Sequence, residues 1–137
     1  MQRSFAVIPL AALQLSGSMA ADRQSAVLYV IAHAGLQVTE RDVRDIYLGN
    51  KGLSAGIRLA PMDNAQEQHD FLSRVLKLDA AKYNTLWTRK SFRDAQNPPP
   101  LRVNDADVVQ AVTRIPGGIG YVRSVPPGIL IIAKYPL

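Results

Sequence analysis

The chain has 137 residues, of which 47% are hydrophobic and 20% are charged, a balance that is typical of a globular protein and excludes a disordered polyelectrolyte. It carries a formal net charge of +5 and no cysteine, which excludes disulfides, thiolate nucleophiles and cysteine metal sites. The two histidines, His33 and His69, lie far apart and lack metal-ligand spacing, so we expect neither a metal nor a cofactor.

The N-terminus has the features of a secretory signal peptide. Arg3 supplies a positive start, residues 5–15 form a mostly apolar run, and Ser18-Met19-Ala20 is a small-x-small cleavage site. The apolar run is too short to span a bilayer, so we expect a protein that does not cross the membrane. The sequence therefore predicts a signal peptide over residues 1–20 and an exported, periplasmic domain over residues 21–137.

The mature chain begins with a strand followed by an amphipathic helix. Residues 26–32 form a continuous apolar run, which favours a strand that is buried on both faces. Thr39 is a good helix N-cap, and Ile46 and Tyr47 belong to one apolar stripe of the helix that follows. Gly49 comes directly after this helix, where a left-handed residue would end it.

Strands and helices then alternate along the chain. A second strand is predicted at residues 57–61, and Asn64 and Glu67 have the spacing of a capping box at the start of a second helix. Asp79 and Asn104 are the N-caps expected for a third and a fourth helix. Two last strands are predicted at residues 119–122 and 129–133. This order predicts an α/β fold with a mostly parallel sheet that helices flank on both faces.

In sheets of this kind, ligands bind at the carboxyl ends of strands, where helix N-termini present free N–H groups. The best such end follows the strand at residues 57–61. The candidate ligand-binding residues there are Asn64, Ala65 and Gln66, with Arg58 as a cation that could reach the same helix start. A small anion is the expected partner of a positively charged exported protein.

The densest basic group surrounds Phe92 and consists of Arg89, Lys90 and Arg93. A basic group with an aromatic residue can hold nucleic acid, but an exported protein rarely meets any. We therefore interpret this group as a solvated face and expect no nucleic-acid partner.

Five segments carry a resemblance to a known family. They are DIYLGNK at residues 45–51, PMD at residues 61–63, Phe71, Trp87 with Phe92, and IPGGIGYV at residues 115–122. In this order and at these distances they resemble the phosphate-binding proteins of ABC importers, and more closely their short periplasmic relatives. The resemblance implies a single lobe of a type 2 periplasmic-binding-protein fold and a non-enzymatic protein that binds phosphate or another small anion. An ABC permease or another envelope protein is the implied partner.

The predicted site departs from that family in one respect. In the phosphate binders the matching strand leads into an arginine and a Ser-Gly-Thr group, whereas this chain has Asp63-Asn64-Ala65-Gln66-Glu67. An alternative therefore stays open, a ligand-free interaction or accessory module of an envelope or signalling complex with contacts at Leu53, Ile57 and the C-terminus. No catalytic motif or paired-carboxylate signature is present in the sequence, so we do not expect an enzyme.

Overall fold

The computed structural model of the protein describes residues 26–137, and the predicted signal peptide at residues 1–20 lies outside the described residues. The helices of this part of the chain are α1 (Glu40–Tyr47), α2 (Gln68–Phe71), α3 (Ala80–Asp94) and α4 (Asp105–Arg114), and a π-helical turn, Leu72–Leu76, continues α2. The strands are β1 (Val27–Ala32), β2 (Leu53–Ser54), β3 (Ile57–Arg58), β4 (Ala60–Pro61), β5 (Asp63–Asn64), β6 (Leu101–Arg102), β7 (Gly118–Val122) and β8 (Leu130–Pro136).

The main sheet has four strands in the order β4-β7-β1-β8. Within this sheet, the inner strand β1 is antiparallel to both β7 and β8, and only β4 and β7 run parallel. The α/β class is therefore confirmed, but the predicted mostly parallel sheet is wrong. The prediction assumed that strands close in sequence lie side by side, whereas β1 from the start of the domain is inserted between two strands from its end.

Two small pairs of strands lie outside the main sheet. β2 and β3 form an antiparallel hairpin, and β5 and β6 form a parallel pair. The strand predicted at residues 57–61 is thus divided, because β3 pairs within the hairpin while β4 joins the main sheet. The chain bends between them at Leu59, whose N–H donates to the Gly52 carbonyl at 2.9 Å.

Helices cover both faces of the sheet, as predicted. On one face, side chains of β1 pack with α1, α2 and α3 in a core that includes Val30, Ile46, Phe71 and Trp87. On the other face, α4 packs its valines against Ile31, Met62 and Val122. Because β1 contributes buried residues to both cores, its uninterrupted apolar sequence is explained.

The local signals for helix ends are largely confirmed. Asp79 accepts a hydrogen bond from the Lys82 N–H at 2.8 Å, and Asn104 accepts one from the Asp107 N–H at 3.0 Å. Gly49 has a φ of +79°, the left-handed conformation expected where α1 ends. The predicted cap at Asn64 is wrong, because Asn64 lies in β5 and α2 begins only at Gln68.

Candidate functional site

Aromatic residues from three of the five motif segments, Tyr47, Phe71 and Tyr121, pack in one cluster. Tyr47 from α1 and Phe71 from α2 pack edge to face, with ring centroids 4.7 Å apart. Phe71 is also stacked on Tyr121 from β7, with centroids 3.9 Å apart and ring planes only 4° from parallel. The Tyr47 hydroxyl donates to the Met62 carbonyl at 2.8 Å, which ties the cluster to the segment between β4 and β5. These motif residues therefore build the core that carries the site.

A buried carboxylate lies next to the aromatic cluster. Asp63 is only 2% exposed, and it accepts hydrogen bonds from the Tyr121 hydroxyl at 2.7 Å and the Tyr83 hydroxyl at 2.8 Å. Burial raises the pKa of Asp63 above its usual value, although the hydrogen bonds from Tyr121 and Tyr83 oppose this shift. Burial and the negative charge of Asp63 raise the pKa of both tyrosines far above 10, so they remain protonated and act as fixed donors. This arrangement ties β5, α3 and β7 together.

The structure places Asn64 in the interior, with no exposed surface. Its side-chain amide donates to Asp105 Oδ1 at 2.8 Å and to the Tyr121 carbonyl at 2.9 Å. Its Oδ1 accepts from the Gln66 N–H at 3.1 Å. Asn64 therefore fastens β5 to α4 and β7, and both ends of its amide are already hydrogen-bonded inside the protein.

The backbone donors beside Asn64 are also in use. The Ala65 N–H donates to the Arg102 carbonyl at 2.8 Å, and the Glu67 N–H donates to the Asn64 carbonyl at 3.0 Å. Together with the Gln66 bond described above, these contacts occupy the three N–H groups at residues 65–67. The free N–H groups on which the predicted anion site depends are thus engaged within the chain.

Carboxylates surround this segment. The Arg123 guanidinium donates to Glu67 Oε1 and to Asp70 Oδ2, each at 2.8 Å. Asp105 Oδ2 accepts from the backbone N–H groups of Arg123 and Ser124 at 3.0 and 3.1 Å. Burial raises the pKa of Glu67, and the Arg123 charge opposes that shift. The single cation of this group is therefore already paired with carboxylates.

Arg58, the fourth predicted site residue, lies elsewhere. It is exposed on the β2–β3 hairpin and lines a hollow of about 530 Å³ together with Lys51, and this hollow does not include residues 64–66. The structure consequently separates Arg58 from Asn64, Ala65 and Gln66, and it brings Arg58 instead to the lysine of the DIYLGNK segment. We call this cavity the Lys51–Arg58 hollow.

Glycines of the two motif segments shape the Lys51–Arg58 hollow. A Cβ at Gly49 would lie 2.8 Å from Trp87 Cη2, so the turn after α1 can pack on the indole ring only with glycine there. A Cβ at Gly117 would overlap the Arg58 carbonyl, so the backbone that carries Arg58 also approaches a glycine closely. Gly49 therefore lines the hollow, and Gly117 allows close packing against the backbone at Arg58.

The lining of the hollow combines apolar residues with four polar ones and carries positive charge. Gln96 and Asn97 contribute amides beside Lys51 and Arg58, and the lining contains no aspartate or glutamate. Gln96 Nε2 lies 3.4 Å from the Gly49 carbonyl, while Gln96 Oε1 and Trp87 Nε1 are buried without a hydrogen-bond partner in residues 26–137. The two cations can bind an anion by charge, and the side-chain amide of Asn97 can donate a neutral hydrogen bond to it.

Sequence reasoning missed the amides of Gln96 and Asn97. The glycine-rich segment at residues 50–56 lacks the GxxxxGK[ST] spacing, so the sequence favours a connecting turn there over a phosphate site. The spacing of glycines at residues 49, 52 and 56 was the available signal, because it marks two tight turns that bring residues 51 and 58 to one side. Nothing in the sequence joins this hairpin to Gln96, which follows α3 and reaches Gly49 only through tertiary packing.

Within the described residues, no helix is long and apolar enough to cross a membrane, and no group of three or more metal-ligating side chains is assembled. No family model matches the chain, and no curated protein matches it.

Proposed function

We propose that the chain is an exported, non-enzymatic solute-binding protein that resembles one lobe of the type 2 periplasmic-binding proteins and holds phosphate or another small anion. The observation that carries this proposal is the Lys51–Arg58 hollow, where two cations face one cavity whose lining contains no carboxylate. Its volume of about 530 Å³ falls within the range of roughly 300–1,000 Å³ that is usual for small-ligand sites.

The charges of the hollow set the expected affinity. A hydrogen bond to a charged group contributes about 1.5–3 kcal/mol, so two cationic contacts supply about 3–6 kcal/mol. This range corresponds to dissociation constants between roughly 50 μM and several millimolar. Binding of this strength is weak, and a partner that covers the open side of the anion would strengthen it. An ABC permease is the partner that the resemblance implies.

Calorimetric titration of phosphate, sulfate and small organic acids into the full chain tests the proposal. We expect a double variant, Lys51→Ala with Arg58→Ala, to weaken anion binding at least tenfold. The matched control is Arg74→Ala with Arg114→Ala, which removes two exposed cations that form no ion pair within residues 26–137. Absence of binding in the wild-type protein, or an equal loss in the control, would overturn the proposal.

The exposed hairpin supports a second candidate, an accessory module of an envelope complex. Leu53 is 62% exposed and Ile57 is 37% exposed, so the β2–β3 hairpin that carries Arg58 presents two large apolar side chains to solvent. A photoreactive cross-linker at Leu53 should give one discrete product in intact cells, whereas the same group at Val103, which is 68% exposed, should give none. Identical patterns from both positions would argue against docking through the hairpin.

A further inference from the structure

The outer face of α3 carries a second basic surface, separate from the Lys51–Arg58 hollow. Lys82, Arg89 and Arg93 are spaced at i, i+7 and i+11, so they lie along one side of the helix, with Lys90 beside them. They line a hollow of about 710 Å³ in which Lys90 Nζ lies 3.2 Å from Asn50 Oδ1. We call this surface the α3 basic face.

Among the described residues, no carboxylate lines the α3 basic face. The residues that line it include four lysines and arginines and no aspartate or glutamate. None of the four cations forms an ion pair within residues 26–137. Four uncompensated cations on one helical face create a positive potential that attracts an anionic surface.

Apolar side chains accompany these cations. Phe92 is 89% exposed, the highest value among the exposed large apolar residues of the described chain. It lies about 60° around the helix axis from Arg89, next to the hollow that the cations line but not part of its lining. Leu78 and Leu86 line the same hollow as the cations. The opposite side of α3 is buried through Tyr83 and Trp87, so its outer side presents cations together with an exposed aromatic ring.

We propose that the α3 basic face binds the surface of an anionic lipid bilayer, with the cations on the lipid phosphates and Phe92 inserted at the headgroup–acyl boundary. A helix that presents lysines and arginines with an aromatic residue has the two features that bind membrane interfaces, since charge and apolar burial add. The phosphates of a nucleic acid would bind the cations, but they would leave the apolar side chains of Leu78 and Leu86 without an apolar partner. This inference concerns a different surface and a different ligand from the proposed function and does not depend on it.

Co-sedimentation of the full chain with vesicles tests the inference. We expect stronger binding to vesicles with 30% phosphatidylglycerol in phosphatidylcholine than to phosphatidylcholine alone. Each cation near such a surface adds about fivefold to binding, so Arg89→Glu with Arg93→Glu should lower the partition coefficient at least tenfold. Phe92→Ser should lower it about threefold to tenfold while leaving its dependence on salt unchanged. All variants share the same N-terminus, so a difference between their partition coefficients is due to the substituted residues of α3.

The matched control is Arg74→Glu with Arg114→Glu, which makes the same charge change at exposed positions away from α3. The logarithm of its partition coefficient should fall by less than half of the decrease that the α3 variant shows. Equal losses in the two variants, or no preference for anionic vesicles in the wild-type protein, would overturn the inference. Complete displacement from vesicles by millimolar glycerol phosphate or by a short DNA duplex would also overturn it, because the ligand would then be a soluble phosphate or a nucleic acid.

Discussion

Tyr121→Phe should destabilise the protein by removing one of the two tyrosine hydroxyls that donate to Asp63. The hydroxyl lies 2.7 Å from a carboxylate that is only 2% exposed, so water cannot easily replace it. A lost hydrogen bond to a charged group costs about 1.5–3 kcal/mol. For a domain of this size, that corresponds to a fall in the melting temperature on the order of 10 °C.

Urea denaturation at pH 7 measures this cost directly. Tyr83→Phe should give a similar loss, because its hydroxyl donates to the same carboxylate at 2.8 Å. The double variant should not show the simple sum of the two losses, since the two donors share one acceptor. A change of less than 0.5 kcal/mol for Tyr121→Phe would refute the structural role that we assign to the cluster.

The pH dependence of stability provides a further check on Asp63. Its pKa is raised in the folded state, chiefly by burial, so the folded protein holds this proton more tightly than the unfolded chain. The stability that protonated Asp63 contributes is fully present below the pKa of about 3.9 that the carboxyl has in the unfolded chain. It is lost as the pH rises through the higher pKa of the folded state. The difference in unfolding free energy between wild type and Asp63→Asn should therefore fall as the pH increases. A difference that grows with pH would contradict this assignment.

Substitutions at Gly120 and Asn64, with Gly52→Ala as a control, test the packing and the role of the buried amide. Gly120→Ala should lower the free energy of unfolding by about 1–3 kcal/mol in urea denaturation, because the added Cβ would overlap Val108 Cγ1. The control Gly52→Ala adds a Cβ that meets no atom within 4 Å, so it should change the free energy of unfolding by less than about 0.5 kcal/mol. Asn64→Asp should cost at least about 3 kcal/mol without any ligand, because it removes the amide donors and places a second carboxylate against Asp105. An Asn64→Asp protein of wild-type stability would instead favour a ligand-binding role for this residue.

The parts of the fold that local chemistry decides could be predicted from the sequence. The strand β1 is specified by its own apolar run, and α3 and α4 begin where Asp79 and Asn104 cap them. Gly49 ends the first helix in the left-handed conformation that its position indicates. Each of these features depends on residues within one turn or one strand, so sequence spacing is sufficient.

The parts that tertiary packing decides could not be predicted. Asn64 and Glu67 match a capping box by spacing, but hydrogen bonds to the Asp105 carboxylate and the Tyr121 carbonyl hold Asn64 in a strand. The pairing of β1 with strands from the end of the chain is likewise absent from any local pattern. The same limit applies to the candidate site, because its cations and amides come from residues 51 and 58 and from residues 96 and 97, which are far apart in the sequence.

Phosphate titration followed by ¹H–¹⁵N NMR would locate the anion most directly. Trp87 is the only tryptophan, so its indole N–H gives a single resonance from the lining of the Lys51–Arg58 hollow. We predict that phosphate shifts this resonance and the amides of residues 49–52, and that Lys51→Ala with Arg58→Ala abolishes both shifts. Shifts confined to the amides of residues 65–67, or no shifts at millimolar phosphate, would contradict anion binding in this hollow.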